Sequence, residues 1–230
     1  MDENRFRIES PKSLAARVAE RLREAIVDGE FALGAMIPEE TLATQFGVSR
    51  TPVREALNLL QMQGLVVVRP QRGSFVFEAD AQDVAALCEF RSVIEPRAAE
   101  LAFLHDRVGA TEALAAALAE LEAARKARDA VRYSRADTRL HESFFAHCGN
   151  PYLQAAYALA GARIATLRTH LSAGTDVLSP AGHEQHKQLL ALFRKGDFPG
   201  FDALMRAHVA GTRENYVRHL NERRTAPTRA

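Results

Sequence analysis

No stretch of this 230-residue chain approaches the ~20 consecutive apolar residues that a membrane-spanning helix needs. The run from Met1 to Ser10 is polar and charged and has no apolar core of the kind a secretory leader carries, so a cytoplasmic protein with no membrane partner is expected. Cysteine is scarce: Cys88 and Cys148 stand alone, each in an apolar helical context. Two isolated thiols make no disulfide framework, and buried free thiols are expected. An excess of charge of one sign is missing too. The formal net charge is +1, so bulk electrostatics give no hint of nucleic acid, and any such signal has to be local. There is no phosphate-cradling glycine loop and no nucleophile motif. What remains is an ordinary globular balance of 47% hydrophobic and 26% charged residues, enough for one large or two ordinary domains.

The pattern changes near residue 79, dividing the chain into 1–78 and 79–230. Leu14, Val18, Leu22, Ala25 and Ile26 recur at spacings of three and four, one apolar face of a helix that Asp28-Gly29 stops. A short second helix runs from about Glu39 to Phe46. A third starts at Ser49-Arg50-Thr51-Pro52, where Ser49 or Thr51 can cap it and Pro52 is tolerated in the first turn. It ends at Gly64. Two β-branched runs, Leu65–Val68 and Ser74–Phe77, flank a Pro- and Gly-bearing turn and read as a hairpin. Beyond Asp80 the periodicity is helical: 81–106, 111–129, 133–148, 151–172, 183–195 and 199–220. Breaks are expected at Gly109, about 129–132, at Gly149-Asn150-Pro151, across Ser172–Pro180, and at Gly196-Asp197, with a kink at Pro96. The expected fold is mainly α: a winged helix-turn-helix followed by an antiparallel bundle of about six helices. The tail from Asn221 is polar.

The segment Leu42–Leu57 carries the strongest local signal. Two helices crossing at a tight turn need a small residue where they touch (Ala43) and one that tolerates positive φ in the turn (Gly47). Leu42, Phe46, Val48 and Val53 seal the pair. The second helix then presents Ser49, Arg50, Thr51 and Arg54 on its first turns, where hydroxyls and the positive helix end suit phosphates and arginine suits a guanine edge. Arg72-Gly73 at the hairpin tip joins a cation to a residue that allows close backbone approach. Residues 42–77 hold four arginines against Glu55 alone, although residues 1–78 as a whole carry a net −1. The positive patch is local.

From Leu14 to Val76 the chain resembles the winged helix-turn-helix of the GntR family. The resemblance rests on Leu22-Arg23-Glu24-Ala25-Ile26, Gly29, Gly34, Gly47 through Leu57, Gly64-Leu65-Val66 and Arg72-Gly73. It implies a regulator that binds double-stranded DNA, with Arg50, Thr51, Arg54, Arg72 and Gly73 at the contact. Some members place a DNA-touching arginine where this chain has Glu40.

In the helical half, Asp137 and His141 are four residues apart and share a helix face. His186 and His208 lie on two later helices. One carboxylate and three imidazoles from three helices suit zinc, and also manganese, nickel or iron. His183, three residues before His186, is a rival ligand, and His105, His147, His170 and His219 have no evident partner. The stretch Asp83 to about Arg213 resembles the FCD domain that marks the FadR subfamily of GntR regulators. It does so through Asp83-Val84, Phe90-Arg91, Ile94-Glu95, Asp137, Leu140-His141, Gly149–Leu153, His186, Leu189, Gly196-Asp197 and Met205–His208. The resemblance implies a divalent ion on Asp137, His141, His186 and His208, with zinc the first choice and manganese or nickel the alternatives. It also implies open positions where a small carboxylate effector displaces water, and a homodimer on a palindromic operator. Arg91 is the candidate cation for the effector, with a purely structural Arg91–Glu95 pair as the alternative. Asn150 is either a polar pocket wall or a turn former before Pro151. The rival function is a metal-dependent hydrolase with an accessory DNA-binding domain, since such an ion can activate water.

Overall fold

The structure is a computed structural model and describes residues 13–171 and 180–225. It separates into two compact units: residues up to Ile26 with Glu30–Phe77, and Val27–Gly29 with Glu78 onward. The polar tail runs on from Asn221 in the last helix as far as Thr225; residues 226–230, and most of the expected break between residues 172 and 180, lie outside the described residues.

The first unit is built on α1 (Leu14–Val27), α2 (Glu39–Phe46) and α3 (Arg50–Met62). α1 turns Ala15, Val18, Ala19, Leu22 and Ile26 inward; of the face that the three–four spacing marks, Val18, Leu22 and Ile26 are buried, Ala25 is half-buried and Leu14 is exposed. Leu57, Leu60 and Leu65 complete the core. α2 ends on Gly47 at φ +65°, whose amide closes onto the Ala43 and Thr44 carbonyls. Ser49 occupies the N-cap of α3 in extended conformation but makes no side-chain cap bond. The sheet has three strands: β1 (Met36–Ile37), β2 (Val66–Arg69) and β3 (Gly73–Val76), antiparallel in the order β1-β3-β2. The hairpin pairs Val67 with Phe75 and Arg69 with Gly73. β1 is the element missing from the sequence reading, because two residues carry no period to read.

In the second unit α4 spans Ala81–Ala127, followed by α5 (Ala130–His147), α6 (Pro151–Leu171), α7 (Pro180–Lys195) and α8 (Phe198–Thr225). Asp80 opens α4 with a capping box: its carboxylate accepts from Gln82 and Asp83 amides while Asp83 accepts from the Asp80 amide. Pro96 keeps helical backbone, and the expected kink falls instead at Asp106 (φ −149°, ψ 66°). The reason is a second cap. Asp106 Oδ1 accepts the Gly109 N–H at 3.0 Å, and Oδ2 meets His147 Nδ1 at 2.6 Å. Gly109, expected to stop the helix, is needed for space: a Cβ there would collide with Asp106 Oδ2 and His147 Cε1. With the break counted, the described residues of the unit form six helical segments. α5 starts three residues earlier than expected because Asp129 caps it through the Arg132 amide. Phe144, Phe193 and Phe201 are fully buried, and Phe144 meets Phe201 edge-on with centroids 5.4 Å apart. This aromatic layer lies directly beneath the histidine cluster, His141 and Phe144 being 6.3 Å apart. No described helix is long and apolar enough to cross a membrane.

Candidate functional site

α5 brings in Asp137 and His141, α7 His186 and α8 His208. All three imidazoles are buried, and each offers a nitrogen within 4.8 Å of the others. The rings of His141 and His208 stack at 5.5 Å, and that of His186 lies 4.8 Å from His208. Asp137 Oδ1 is 2.9 Å from His186 Nε2 and 3.6 Å from His141 Nε2. The 2.9 Å approach lacks hydrogen-bond alignment: both atoms are buried without a bonded partner among the described residues. Two acceptor-bearing groups crowded together without a bond between them are costly alone and suited to a shared cation. The donor set therefore fits a divalent ion. His183 is not in this set; its Nε2 sits 2.9 Å from Glu122 Oε2.

A second tier of groups orients these side chains. His141 Nδ1 lies 2.7 Å from Glu95 Oε2, so the ring donates there and leaves Nε2 for the cluster. His208 Nδ1 meets Gln185 Oε1 at 3.0 Å, with the same consequence. Glu95 also accepts from Arg91 Nε at 2.7 Å, in a pair that is almost wholly buried. Asp137 Oδ2 receives Arg168 Nε, and Arg168 Nη1 donates to Thr138 Oγ1 at 2.7 Å. Burial opposes charge on Asp137, but Arg168 and then His186 outweigh it and hold the carboxyl well below the usual range. At Glu95 burial is likewise overcome, by Arg91 and then His141, and the carboxyl is again depressed. Burial, then His186 and His141, push the His208 imidazole well below the ordinary histidine range.

A cavity of about 250 Å³ opens onto this centre, walled by Arg91, Asp137, Arg168, His186, His208 and Tyr216 among others. Arg91 pairs with Glu95, the structural alternative, and also lines the cavity. Asn150 does not line it. Its Oδ1 accepts the Tyr152 and Leu153 amides and caps α6, because a residue just before a proline-started helix is in place to hold those free N–H groups. Glu95 as a histidine orienter, Gln185 and Arg168 are the residues that sequence reasoning missed. Arg168 lies on α6, with no spacing relation to α5, and nothing in one sequence joins them.

In the first unit, Ser49, Arg50, Thr51, Arg54, Arg72 and Gly73 are all exposed. The wing turn closes with the Arg72 amide on the Arg69 carbonyl at 3.0 Å, with Gln71 and Gly73 at positive φ. Glu39 joins helix to wing: Oε2 accepts Arg54 Nε at 3.0 Å and Oε1 accepts Ser74 Oγ at 3.1 Å. Glu40, where some relatives of this motif have arginine, lies 4.0 Å from Arg50.

Comparison with known proteins matches both halves. The family model of bacterial regulatory proteins, gntR family, covers residues 14–76, and that of the FCD domain covers residues 86–211. An uncharacterised HTH-type transcriptional regulator from an unstable DNA locus of Streptomyces ambofaciens is 32% identical over 82% of this chain and 79% of its own length. The galactonate operon transcriptional repressor of Escherichia coli is 27% identical over 79% of this chain and 87% of its own. Among solved structures, a GntR regulator from Rhodococcus sp. RHA1 matches with a TM-score of 0.79 at 22% identity, covering 88% of this chain and 97% of that one; it shares the fold. GntR regulators bind DNA operators, and FCD domains are often metal-binding. The exposed arginines of a winged helix-turn-helix, a histidine cluster able to hold a metal and matches to both family models along one chain lead to one conclusion: the protein is a transcriptional regulator of the GntR family, in the branch that carries an FCD domain.

Proposed function

We propose that the chain is a metabolite-responsive repressor. Its DNA-reading domain is residues 1–78 and its effector domain residues 79–230, and it binds a palindromic operator as a homodimer. The observation that carries this reading is the convergence of Asp137, His141, His186 and His208 beside a small cavity, in the same chain as a winged helix-turn-helix. These four residues would hold one divalent ion, zinc by first choice, with manganese or nickel fitting the same donors. When bound, the ion supplies concentrated positive charge to which carboxylate oxygens are drawn. Glu95 and Gln185 fix the ring orientations of His141 and His208, and Arg91 adds a cation to the cavity wall. A cavity of about 250 Å³ falls just below the size range of drug-sized ligand pockets and suits a small acid. The relative named for a galactonate operon supports a sugar acid or similar carboxylate as the effector class. Two copies double the contacts of one winged domain, which alone reads few bases, and impose two-fold symmetry on the site.

The test is a footprint of the zinc-loaded protein on its operator, with and without a panel of organic and sugar acids. One protected pseudo-palindrome, released by a single acid in the panel, is the expected result. Protection without sequence preference, or an operator affinity unchanged by every acid that binds, overturns the reading.

A further inference from the structure

The cavity wall holds two buried arginines, and they are not equivalent. Arg91 directs Nε to Glu95 and turns Nη2 toward both nitrogens of the His141 ring at 3.4 Å. Arg168, only 3% exposed, directs Nε to Asp137 and Nη1 to Thr138, while its Nη2 is buried with no hydrogen-bond partner among the described residues. A charged donor left unpaired in the interior is expensive. Arg168 also lines the cavity, and its fixed planar fork is the geometry that matches a carboxylate. We infer that Arg168 Nη2 is the protein donor that recognises the anionic end of the cavity's ligand, and that it sets the preference for a carboxylate over a neutral analogue.

The inference rests on the reading that this cavity takes a carboxylate, and it adds the residue that selects for one. Nε and Nη1 lock the guanidinium plane through Asp137 and Thr138, so Nη2 is held in one position before any ligand arrives. The same Asp137 carboxylate that would hold the ion thereby positions Arg168. A carboxylate drawn to the ion meets the free N–H beside it. Arg91 also supplies charge to the wall, but its Nε is committed to Glu95 and its Nη2 lies against the His141 ring.

The experiment compares acetate with acetamide, which has nearly the same shape and no charge. Acetate is the smallest carboxylate probe with a carbon stem, so no pocket built for a larger acid excludes it. Zinc-loaded wild type, Arg168→Gln and Arg168→Lys are titrated with each probe at constant ionic strength, with binding followed by protein-observed NMR. Zinc content and circular dichroism are measured on the same samples. Wild type is expected to prefer acetate by tenfold or more. Arg168→Gln should lose that preference while acetamide binding stays the same. Arg168→Lys keeps a cation beside Asp137 but lacks the second nitrogen, so it should lose most of the preference; it carries the test if Arg168→Gln does not fold. A water molecule satisfying Nη2 leaves the preference to the ion alone, the same in wild type as in Arg168→Gln, and that result overturns the inference. So does a preference that survives in both variants. Repeating the titration after chelation separates the two claims. An Arg168-dependent preference that persists without zinc upholds Arg168 and breaks the metal reading. Binding that needs zinc and ignores Arg168 does the reverse.

Discussion

The two halves of the protein use arginine–carboxylate pairs in opposite ways. In the DNA-reading half, Arg54 pairs with Glu39 while its side chain stays 63% exposed. In the helical half, Arg91–Glu95 and Arg168–Asp137 are buried, with both arginines at 3% exposure or less. Water competes for the first kind of pair, which contributes little to stability and exchanges partners readily. Arg54 is therefore held near the wing yet can exchange Glu39 for a base or phosphate. The buried pairs have no such competitor. Removing one partner strands a charge in the interior, so these pairs serve as fixed framework for the ligands above them.

The largest expected effect tests that framework. Glu95→Gln leaves Arg91 without its counter-charge and one amide oxygen where two carboxylate oxygens served Arg91 and His141. The helical domain should lose about 3–5 kcal/mol, read from denaturant unfolding followed by circular dichroism. A loss below about 1 kcal/mol would mean that the pair is as dispensable as a surface one. Metal removal comes next. Chelation should destabilise the same domain by about 2.7 kcal/mol if the free ion stood at a hundred times its dissociation constant, with little change in the head's own unfolding. His186→Ala and His208→Ala should each abolish stoichiometric metal by elemental analysis of untagged protein. Wild type that takes up no metal after incubation with zinc, manganese or nickel would remove the site from the comparison.

On the exposed side, Arg50→Ala and Arg54→Ala should each weaken operator binding by about 1–3 kcal/mol where they read a base, with thermal stability unchanged. Operator affinity unaltered in both variants would show that the exposed pair has no part in DNA recognition.

Acid titration sharpens the contrast further. His208 is held neutral in the folded state by burial and by its histidine neighbours. In metal-free protein the unfolded chain takes up its proton first as pH falls below about 6.5, so stability drops from there by up to about 1.4 kcal/mol per pH unit. Asp137 and Glu95 have depressed folded pKa values, so their stabilisation is complete above the ordinary carboxylate range and is lost only below about pH 4. Replacing His208 by Phe should shrink the upper limb to the smaller part that His183, also lowered by burial, contributes, and leave the lower. Persistence of the upper limb undiminished would assign it to another histidine. The smallest effect belongs to Glu39→Gln, which should change stability by about 1 kcal/mol or less and leave Arg54 unpaired for DNA. A loss of several kcal/mol would mean that the Glu39 bridge to Arg54 and Ser74 is structural after all.

Most of the helical layout and the four residues that meet at the histidine cluster were legible in the sequence; the groups that orient them were not. Asp137 and His141 announce themselves by an i, i+4 spacing, and His186 and His208 stand out as rare residues on separate amphipathic helices. Glu95 was visible as a partner for Arg91, four residues away, but its contact with His141 spans 46 residues and leaves no local pattern. Gln185 and Arg168 carry no signal of any kind. The kink was misplaced for a related reason. Pro96 and Gly109 are the residues that local rules flag, whereas the break at Asp106 depends on His147 from another helix. β1 failed for want of length.

What the sequence determined by itself is whatever local chemistry suffices to specify: helix faces from periodicity, the turn at Gly47 from its positive φ, and the exposed basic start of α3. The quartet belongs partly here, since residue type and helix register say which side chains are able to ligate. Only the tertiary structure decided which of His183 and His186 joins the cluster, because both lie buried on α7, which packs against α4 and α8, and one meets Glu122 and the other Asp137. It alone decided that Arg168 crosses to Asp137, since a buried charge is stable only where another helix brings its counter-charge, and no single helix contains that instruction.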